Sequence, residues 1–299
     1  MPNQVQQFYE ANVLKQRIIT ALILAPLALF GILYLSLFNF QIMIAFVVGL
    51  GAWEWSSMSG ITRTFSKSAY AALVVAICLT LSILLPSDLI WYQGQLHNTY
   101  TYILCVAAIW WVVSLAMIIA YPNYSSVWYC SKILRGIFGI LTLVPTWVAV
   151  VSLRTNSYDV DPDHGASLIF YVLGIVWAAD IGAFFVGVKF GKHKLRPEVS
   201  PGKTLEGLMG GVLASSAIIA FAALHYQVDP SRIWLHIMVG ALTVGVSALG
   251  DLNESMFKRC AGIKDSGKLL PGHGGVMDRI DSLTAAFPIF GFCYIMWVV

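Results

Sequence analysis

Charge is what this chain has least of. Of its 299 residues only 11% are Asp, Glu, Lys or Arg, while 58% are hydrophobic; an ordinary soluble domain carries about 25% charged residues. That excludes a typical soluble globule and argues for a membrane protein. Cysteine is scarce too. The five, Cys78, Cys105, Cys130, Cys260 and Cys293, are scattered without a CxxC pair, so neither a disulfide framework nor a zinc site is supported, and they read as small apolar residues. There is no low-complexity tract and no clear short-period repeat. The net charge of +3 is spread along the chain and forms no nucleic-acid patch, so no nucleic-acid partner is expected.

Long apolar runs take the place of charge. About 20 residues of helix cross the hydrocarbon of a bilayer, and nine runs approach that length: near 18-38, 40-58, 69-86, 100-121, 136-153, 167-188, 205-226, 233-250 and 282-299. The expected fold is therefore an all-α, polytopic integral membrane protein with about nine transmembrane helices. The first run is too long for the apolar core of a signal peptide and lacks an A-x-A-like end, so it is expected to stay as the first span. Nine spans divide the 18 Lys and Arg unevenly: only Arg154 and Arg232 fall on one side, and all the others, from Lys15 and Arg17 to Arg279, on the opposite one. The positive-inside rule makes that richer side cytoplasmic, with the N-terminus on it.

The cations concentrate in segments 189-204 and 251-281. The chain accordingly divides into a transmembrane scaffold, 1-166, and a C-terminal catalytic transmembrane domain, 167-299, carrying those two segments as cytoplasmic loops. Small residues recur at helical spacing at Ala179, Ala183, Gly187 and Gly191, then at Gly207, Gly211 and Ser215. Such stripes let helix backbones approach closely in lipid; a close approach to a ligand is the alternative.

Two motifs mislead. SPGKT, Ser200 to Thr204, ends like a phosphate-binding P-loop, but the first Gly of that pattern falls on Pro197. DVDPDHG, Asp159 to Gly165, begins like a calcium loop, but its Gly falls on His164 and its bidentate Glu on Phe170; it reads as a solvated loop.

Acidic residues in or beside the spans are functional candidates by default, since a carboxylate at the bilayer centre costs about 2.5-3.5 kcal/mol on insertion scales. They are Asp180 in the sixth run, Glu54 between Trp53 and Trp55 near the end of the second, Glu206 at the start of the seventh and Asp251 at the end of the eighth. Just downstream, Ser255 to Asp281 reads SMFKRCAGIKDSGKLLPGHGGVMDRID. It mixes Lys258, Arg259, Lys264, Lys268 and Arg279 with Asp265, Asp278 and Asp281. That mixture suits a polyphosphate held through a metal: carboxylates bind a hard divalent ion, and Lys and Arg meet phosphate oxygens. The glycines at 272, 274 and 275 around His273 open backbone conformations in which N-H groups line an anion. Asp278 and Asp281 share a helix face if the ninth helix has begun there, and Asp251 meets Asp278 if the loop folds back. A solvated basic connection explains the cations alone. In the second segment, Ser200 is a candidate N-cap with Pro201 at the first helical position, presenting free N-H groups to an anion beside Lys203; attraction to anionic headgroups is the simpler alternative.

The longer segment resembles the signature of the phosphatidate cytidylyltransferases, or CDP-diacylglycerol synthases: SxxKR, four residues, KD, then PxHGGxxDRxD. Ser255, Lys258, Arg259, Lys264, Asp265, Pro271, His273, Gly274, Gly275, Asp278, Arg279 and Asp281 fill its fixed positions, and the similarity extends upstream through DIGAFFVGVKFGKHKL and SPGKTLEG. The resemblance implies a bacterial inner-membrane enzyme, a homodimer, with its active site on the cytoplasmic side and membrane lipids around it. It would join phosphatidic acid and CTP, using Mg2+ and a second cation such as K+. It further implies Asp251 and Asp278 as metal ligands and Lys264, Asp265, His273, Arg279 and Asp281 as catalytic groups. Ser200, Lys203, Lys258, Arg259, Lys268, Gly274, Gly275 and Asp180 would bind substrates. Two rivals differ in their signs. A CDP-alcohol phosphotransferase would carry a DG, AR, G, D, D pattern within helices, which is not found, and an anion transporter would show inverted repeats, which are not detected.

Overall fold

The computed structural model describes residues 4–297, and side chains from Lys15 onward except those of Arg17 and Trp297. Val298 and Val299, which end the ninth apolar run, lie outside the described residues. In chain order the elements are α1 (Gln4–Tyr34), α2 (Leu37–Met58), α3 (Thr64–Leu84), α4 (Ser87–Ile90), β1 (Trp91–Tyr92), β2 (Gln95–Leu96), α5 (Asn98–Ala120), α6 (Ser125–Tyr129), α7 (Lys132–Thr155), α8 (His164–Phe190), β3 (Lys194–Arg196), β4 (Ser200–Thr204), α9 (Leu205–His225), a 3-10 turn (Pro230–Arg232), α10 (Ile233–Ala261) and α11 (Met277–Trp297). The strands form two small antiparallel hairpins, so the all-α membrane architecture stands.

The span count is lower than expected. Among the described residues seven helices are long and apolar enough to cross a membrane: α2, α3, α5, α7, α8, α9 and Pro230–Ala261, which contains α10. The apolar stretch Ile18–Tyr34 of α1 is shorter. The ninth run does form α11, but its first turn is Met277-Asp278-Arg279-Ile280 and is drawn into the polar site described below.

The centre of the bundle is α7, buried almost continuously from Thr142 to Thr155 and packed on α2, α5, α8 and α11. A tryptophan in such a core needs a partner for its indole N-H. Trp147 finds the Gln41 carbonyl at 2.9 Å and Trp55 the Arg135 carbonyl at 2.9 Å. Trp55 is thus a core residue, fully buried. Lipid-facing surfaces are apolar instead of polar, as on Phe184, Phe185 and Val188 of α8.

The small-residue stripes do bring two helices together. A side chain added at Gly211 would lie 2.8 Å from the Ala179 carbonyl, and one at Gly207 2.9 Å from that of Ala183. Ser215 Oγ donates to the Ile175 carbonyl at 2.9 Å across the same seam. The stripes therefore set the α8/α9 distance, and they also line the cavity described next.

Two boundaries are corrected. The eighth run does not stop at 250: α10 continues through Asp251, Glu254 and Lys258 to Ala261, so Lys258 and Arg259 are helical and the free loop shrinks to 262-276. Gly262, left-handed at φ 69°, ends the helix and its N-H caps the Lys258 and Arg259 carbonyls. Nor does a helix start at Ser200. Ser200–Thr204 is strand β4, paired with β3 in the register Lys194↔Thr204 and Arg196↔Ser200. The cap is Thr204, which accepts from Gly207 N at 3.1 Å. Ser-Pro is as compatible with an edge strand as with a helix start, and pairing with β3 decides it.

Candidate active site

Two constructions meet at one end of the bundle. The first is the hairpin β3/β4. Arg196 fastens it by donating to the Ile118 carbonyl, at 2.6 Å through one guanidinium nitrogen, and to the Ile119 and Tyr121 carbonyls. These are acceptors that the end of α5 leaves unsatisfied, and a cation there also suits the helix dipole. Arg259 Nε on α10 donates to the Val199 carbonyl at 3.2 Å. Glu206 in the first turn of α9 accepts from Lys192 N and from His193 through both its amide and Nδ1, the last at 2.6 Å. Arg196 and Glu206 thus hold the hairpin down.

Beneath it lies a cavity of about 730 Å3 between α8, α9 and α10, lined among others by Asp180, Phe184, Val188, Lys203, Gly207 and Asp251. Lys203 Nζ sits 2.5 Å from Asp251 Oδ2, and Asp180 is within electrostatic reach of both. Phe184 and Val188 are also exposed on the outer, apolar face, so the cavity opens sideways. Ser200 stays on the hairpin and is not among the lining residues.

The second construction is the loop 262-276 with the first turn of α11. Asp278 is its centre. Lys258 Nζ donates to Asp278 Oδ1 at 2.8 Å, Gly275 N to Oδ2 at 2.8 Å, and Ser266 N approaches both oxygens at 3.1 to 3.2 Å. Burial alone would raise the Asp278 carboxyl; the Lys258 ammonium and these amides outweigh it and hold the carboxyl below its ordinary range. The Gly275 amide, expected to line a phosphate, is therefore taken by Asp278. Gly272 and Gly274 have φ of 75° and 84°, a region Gly enters without strain. Leu270 N donates to the Gly274 carbonyl and Arg279 to that of His273, the latter at 2.7 Å. Lys264, Asp265 and Lys268 are exposed on the outer side of the loop.

Between the constructions runs a file of charged side chains. Asp251, Glu254, Ser255 and Lys258 recur at helical spacing on α10, and Asp278 and Asp281 share a face of α11 now that the helix begins at Met277. Gly250 allows the two helices to meet, since a side chain there would strike the Asp281 carbonyl. Asp281 lies within electrostatic reach of Asp251, and its carboxyl meets that of Glu254. Lys258 Nζ is 3.4 Å from Glu254 Oε2. Asp251 and Asp278 are therefore joined through Asp281, Glu254 and Lys258, instead of directly. Glu254 escaped the sequence reading although its spacing from Asp251 and Lys258 was legible; Ser266 carried no signal.

Among the described residues no group of three or more His, Cys, Asp or Glu is arranged to enclose a metal ion. The carboxyl groups along the file nevertheless outnumber its two lysines, and the fully buried Glu254 meets only another carboxyl, that of Asp281, and the Lys258 ammonium at 3.4 Å. That environment fits a cation beside Asp251, Glu254 and Asp281. Asp278 fits as a ligand only by exchanging Lys258 for the metal.

At the far end of the bundle a smaller cavity, about 470 Å3, is lined by His164, Tyr171, Tyr226, Arg232, His236 and Tyr294 and holds no residue of segments 189-204 or 251-281. Asp159 to Asp163 of DVDPDHG lie at that end as an exposed turn in which Asp161 accepts from Asp163 N at 3.0 Å, and His164 and Gly165 begin α8.

Fold and site together define a multi-helix membrane protein in which an apolar side cavity meets a file of charged side chains. Residues 15–297 match the model of the cytidylyltransferase family, and the chain belongs to that family. It is 44% identical over 277 residues to the phosphatidate cytidylyltransferase of Pseudomonas aeruginosa, covering 93% of this chain and 95% of the relative. It is 38% identical over 286 residues to that of Haemophilus influenzae, covering 94% and 98%. A Staphylococcus aureus phosphatidate cytidylyltransferase is 43% identical over 142 residues, 48% of this chain and 54% of the relative.

Proposed function

We propose that the protein is a nucleotidyltransferase that transfers the CMP group of CTP to phosphatidic acid, giving CDP-diacylglycerol and pyrophosphate for phospholipid synthesis. The observation that carries this reading is the junction of a side-opening apolar cavity, ending at Lys203 and Asp251, with the file that runs through Asp281, Glu254 and Lys258 to Asp278. A lipid phosphate entering from the bilayer and a nucleotide arriving from water meet there. The named relatives support it.

A phosphatidate oxygen attacks the α-phosphorus of CTP; that P-O bond forms, the bond to the β-phosphate oxygen breaks, and pyrophosphate leaves with the electron pair. The attacking oxygen is already anionic, so no Ser or Cys nucleophile is required. The protein's work is to bring two anions together and offset their repulsion. Lys203 holds the phosphatidate phosphate while Phe184 and Val188 border the acyl chains. Lys264, Lys268 and Arg279, on the exposed side of the loop, meet the nucleotide phosphates. His273 and Gly274 shape the turn that presents them, and Asp180 and Asp265 orient the nearby cations. Mg2+, with a second cation such as K+, would be held by Asp251, Glu254 and Asp281, with Asp278 beside them, and would neutralise phosphate charge.

The lysine and arginine asymmetry supports a cytoplasmic position for this end, with the N-terminus on the same side, in a bacterial inner membrane. The homodimer rests on the family resemblance alone. In detergent, pyrophosphate release from CTP should require both phosphatidic acid and Mg2+; release independent of phosphatidic acid, or none from folded protein, sinks the reading.

A further inference from the structure

Glu54 lies outside every motif that marked the site. It sits on α2, in the half of the chain read as scaffold, and is 1% exposed. Its Oε2 accepts from Met277 N at 2.7 Å and from Ser266 Oγ at 3.2 Å. Met277 opens α11, whose first N-H groups have no partner within the helix, and a carboxylate at a helix N-terminus is favoured by the dipole as well. A residue of the second helix therefore completes the start of the last one.

The loop closes around this carboxylate from two sides. A Cβ at Gly275 would come within 2.5 Å of Glu54 Oε2, and a Cβ at Gly267 would overlap Oε1. Gly267 and Gly275 are thus spaces cleared for Glu54, while a Cβ at Gly274 would face Asp278 instead. Gly275 takes part without left-handed backbone, so close approach, and not conformational freedom, is what demands glycine there.

The same short segments serve Asp278. Ser266 gives its hydroxyl to Glu54 and its amide to Asp278; Gly275 gives its amide to Asp278, and Met277, two residues on, gives its own to Glu54. Two carboxylates from opposite ends of the chain hold the two strands of one loop, and Asp278 in turn receives Lys258. We propose that Glu54 is a positioning residue for the reaction: by fixing Ser266, Gly275 and Met277 it sets the place of Asp278 and Lys258, and so joins the first half of the chain to the catalytic loop. This rests on the cytidylyltransferase reading for the chemistry, though not for the anchoring.

The test is wild type beside Glu54→Gln and Glu54→Asp in detergent, followed by hydrogen exchange and by steady-state kinetics. Glu54→Gln keeps the volume and loses the charge, and amide exchange over 264-278 should rise about ten-fold or more while α3 and α5 keep their protection. The KM for CTP and the Mg2+ requirement should rise about ten-fold, with the KM for phosphatidic acid unchanged. Glu54→Asp, which keeps the charge, should recover part of both. A purely structural role would reduce the active fraction and move neither KM, and that result overturns the proposal, as does wild-type exchange in Glu54→Gln. Absence of pyrophosphate release from wild type would count against the function instead, and the exchange measurement alone would then decide whether Glu54 anchors the loop.

Discussion

The hairpin β3/β4 and the loop 262-276 are both basic, both rich in Gly and Pro, and packed at the same end of the bundle, yet they are held in opposite ways. The hairpin is held from outside, by strand pairing, by Arg196 on the end of α5 and by Glu206, and it leaves Lys203 over an open cavity. The loop is held from inside: its amides end on Asp278 and on Glu54, both largely out of water. A buried carboxylate that receives several donors fixes geometry, because any departure strands a charge; a surface hairpin can shift at small cost. The difference suits a site in which one substrate is a lipid of variable chains and the other a nucleotide whose phosphates must be aligned.

The contrast is broken most severely at Asp278. Asp278→Asn should reduce pyrophosphate release about 10²–10³-fold, and leaving the buried Lys258 with only its longer contact to Glu254 should cost roughly 1–3 kcal/mol of stability. Comparable turnover and an unchanged thermal midpoint would show that the loop is not organised around this carboxylate.

On the hairpin side the expected effect is smaller and different in kind. Lys203→Ala should raise the KM for phosphatidic acid about ten-fold and leave the KM for CTP near wild type. An equal change in both would mean that the two constructions bind one substrate jointly.

Gly211→Leu tests the seam that forms the cavity wall. The new side chain meets the Ala179 backbone at a distance that has no slack, so overpacking should destabilise by about 1–3 kcal/mol, measured as a lower thermal midpoint in detergent together with weaker use of phosphatidic acid.

The smallest effect concerns pH. Asp278 is held below its ordinary range, so its contribution is complete above the unfolded carboxylate value and disappears only as pH falls through the lower, folded one. Proteolytic protection of 262-276 at about pH 5 should therefore match that at neutrality. Release of the loop by that point would mean that Lys258 and the amides do not outweigh burial.

Much of the site was legible before the structure because chemistry leaves local marks. Asp251, Lys203, Asp278 and Asp281 stood out as charges in or beside apolar runs, and the three-residue spacing of the last two put them on one face. Gly262 was a readable end for α10, and Glu254 stood at i+3 from Asp251 on the same helix. The apolar run ends at 250, short of both, so hydropathy alone places the boundary too early. Ser200-Pro201 misled for a related reason, since a two-residue cue fits a cap and an edge strand equally.

By itself the sequence determined the membrane architecture, through the near-absence of charge over runs of about 20 residues, and the kind of chemistry, through the residue types gathered in 255-281. Only the tertiary structure brings Glu54 against Met277 and Ser266, joins Asp251 to Asp278 through Asp281, Glu254 and Lys258, and gives the Gly275 amide to Asp278. These contacts link residues up to 223 positions apart, and buried donors and carboxylates pair by proximity in the folded bundle, which no local spacing encodes.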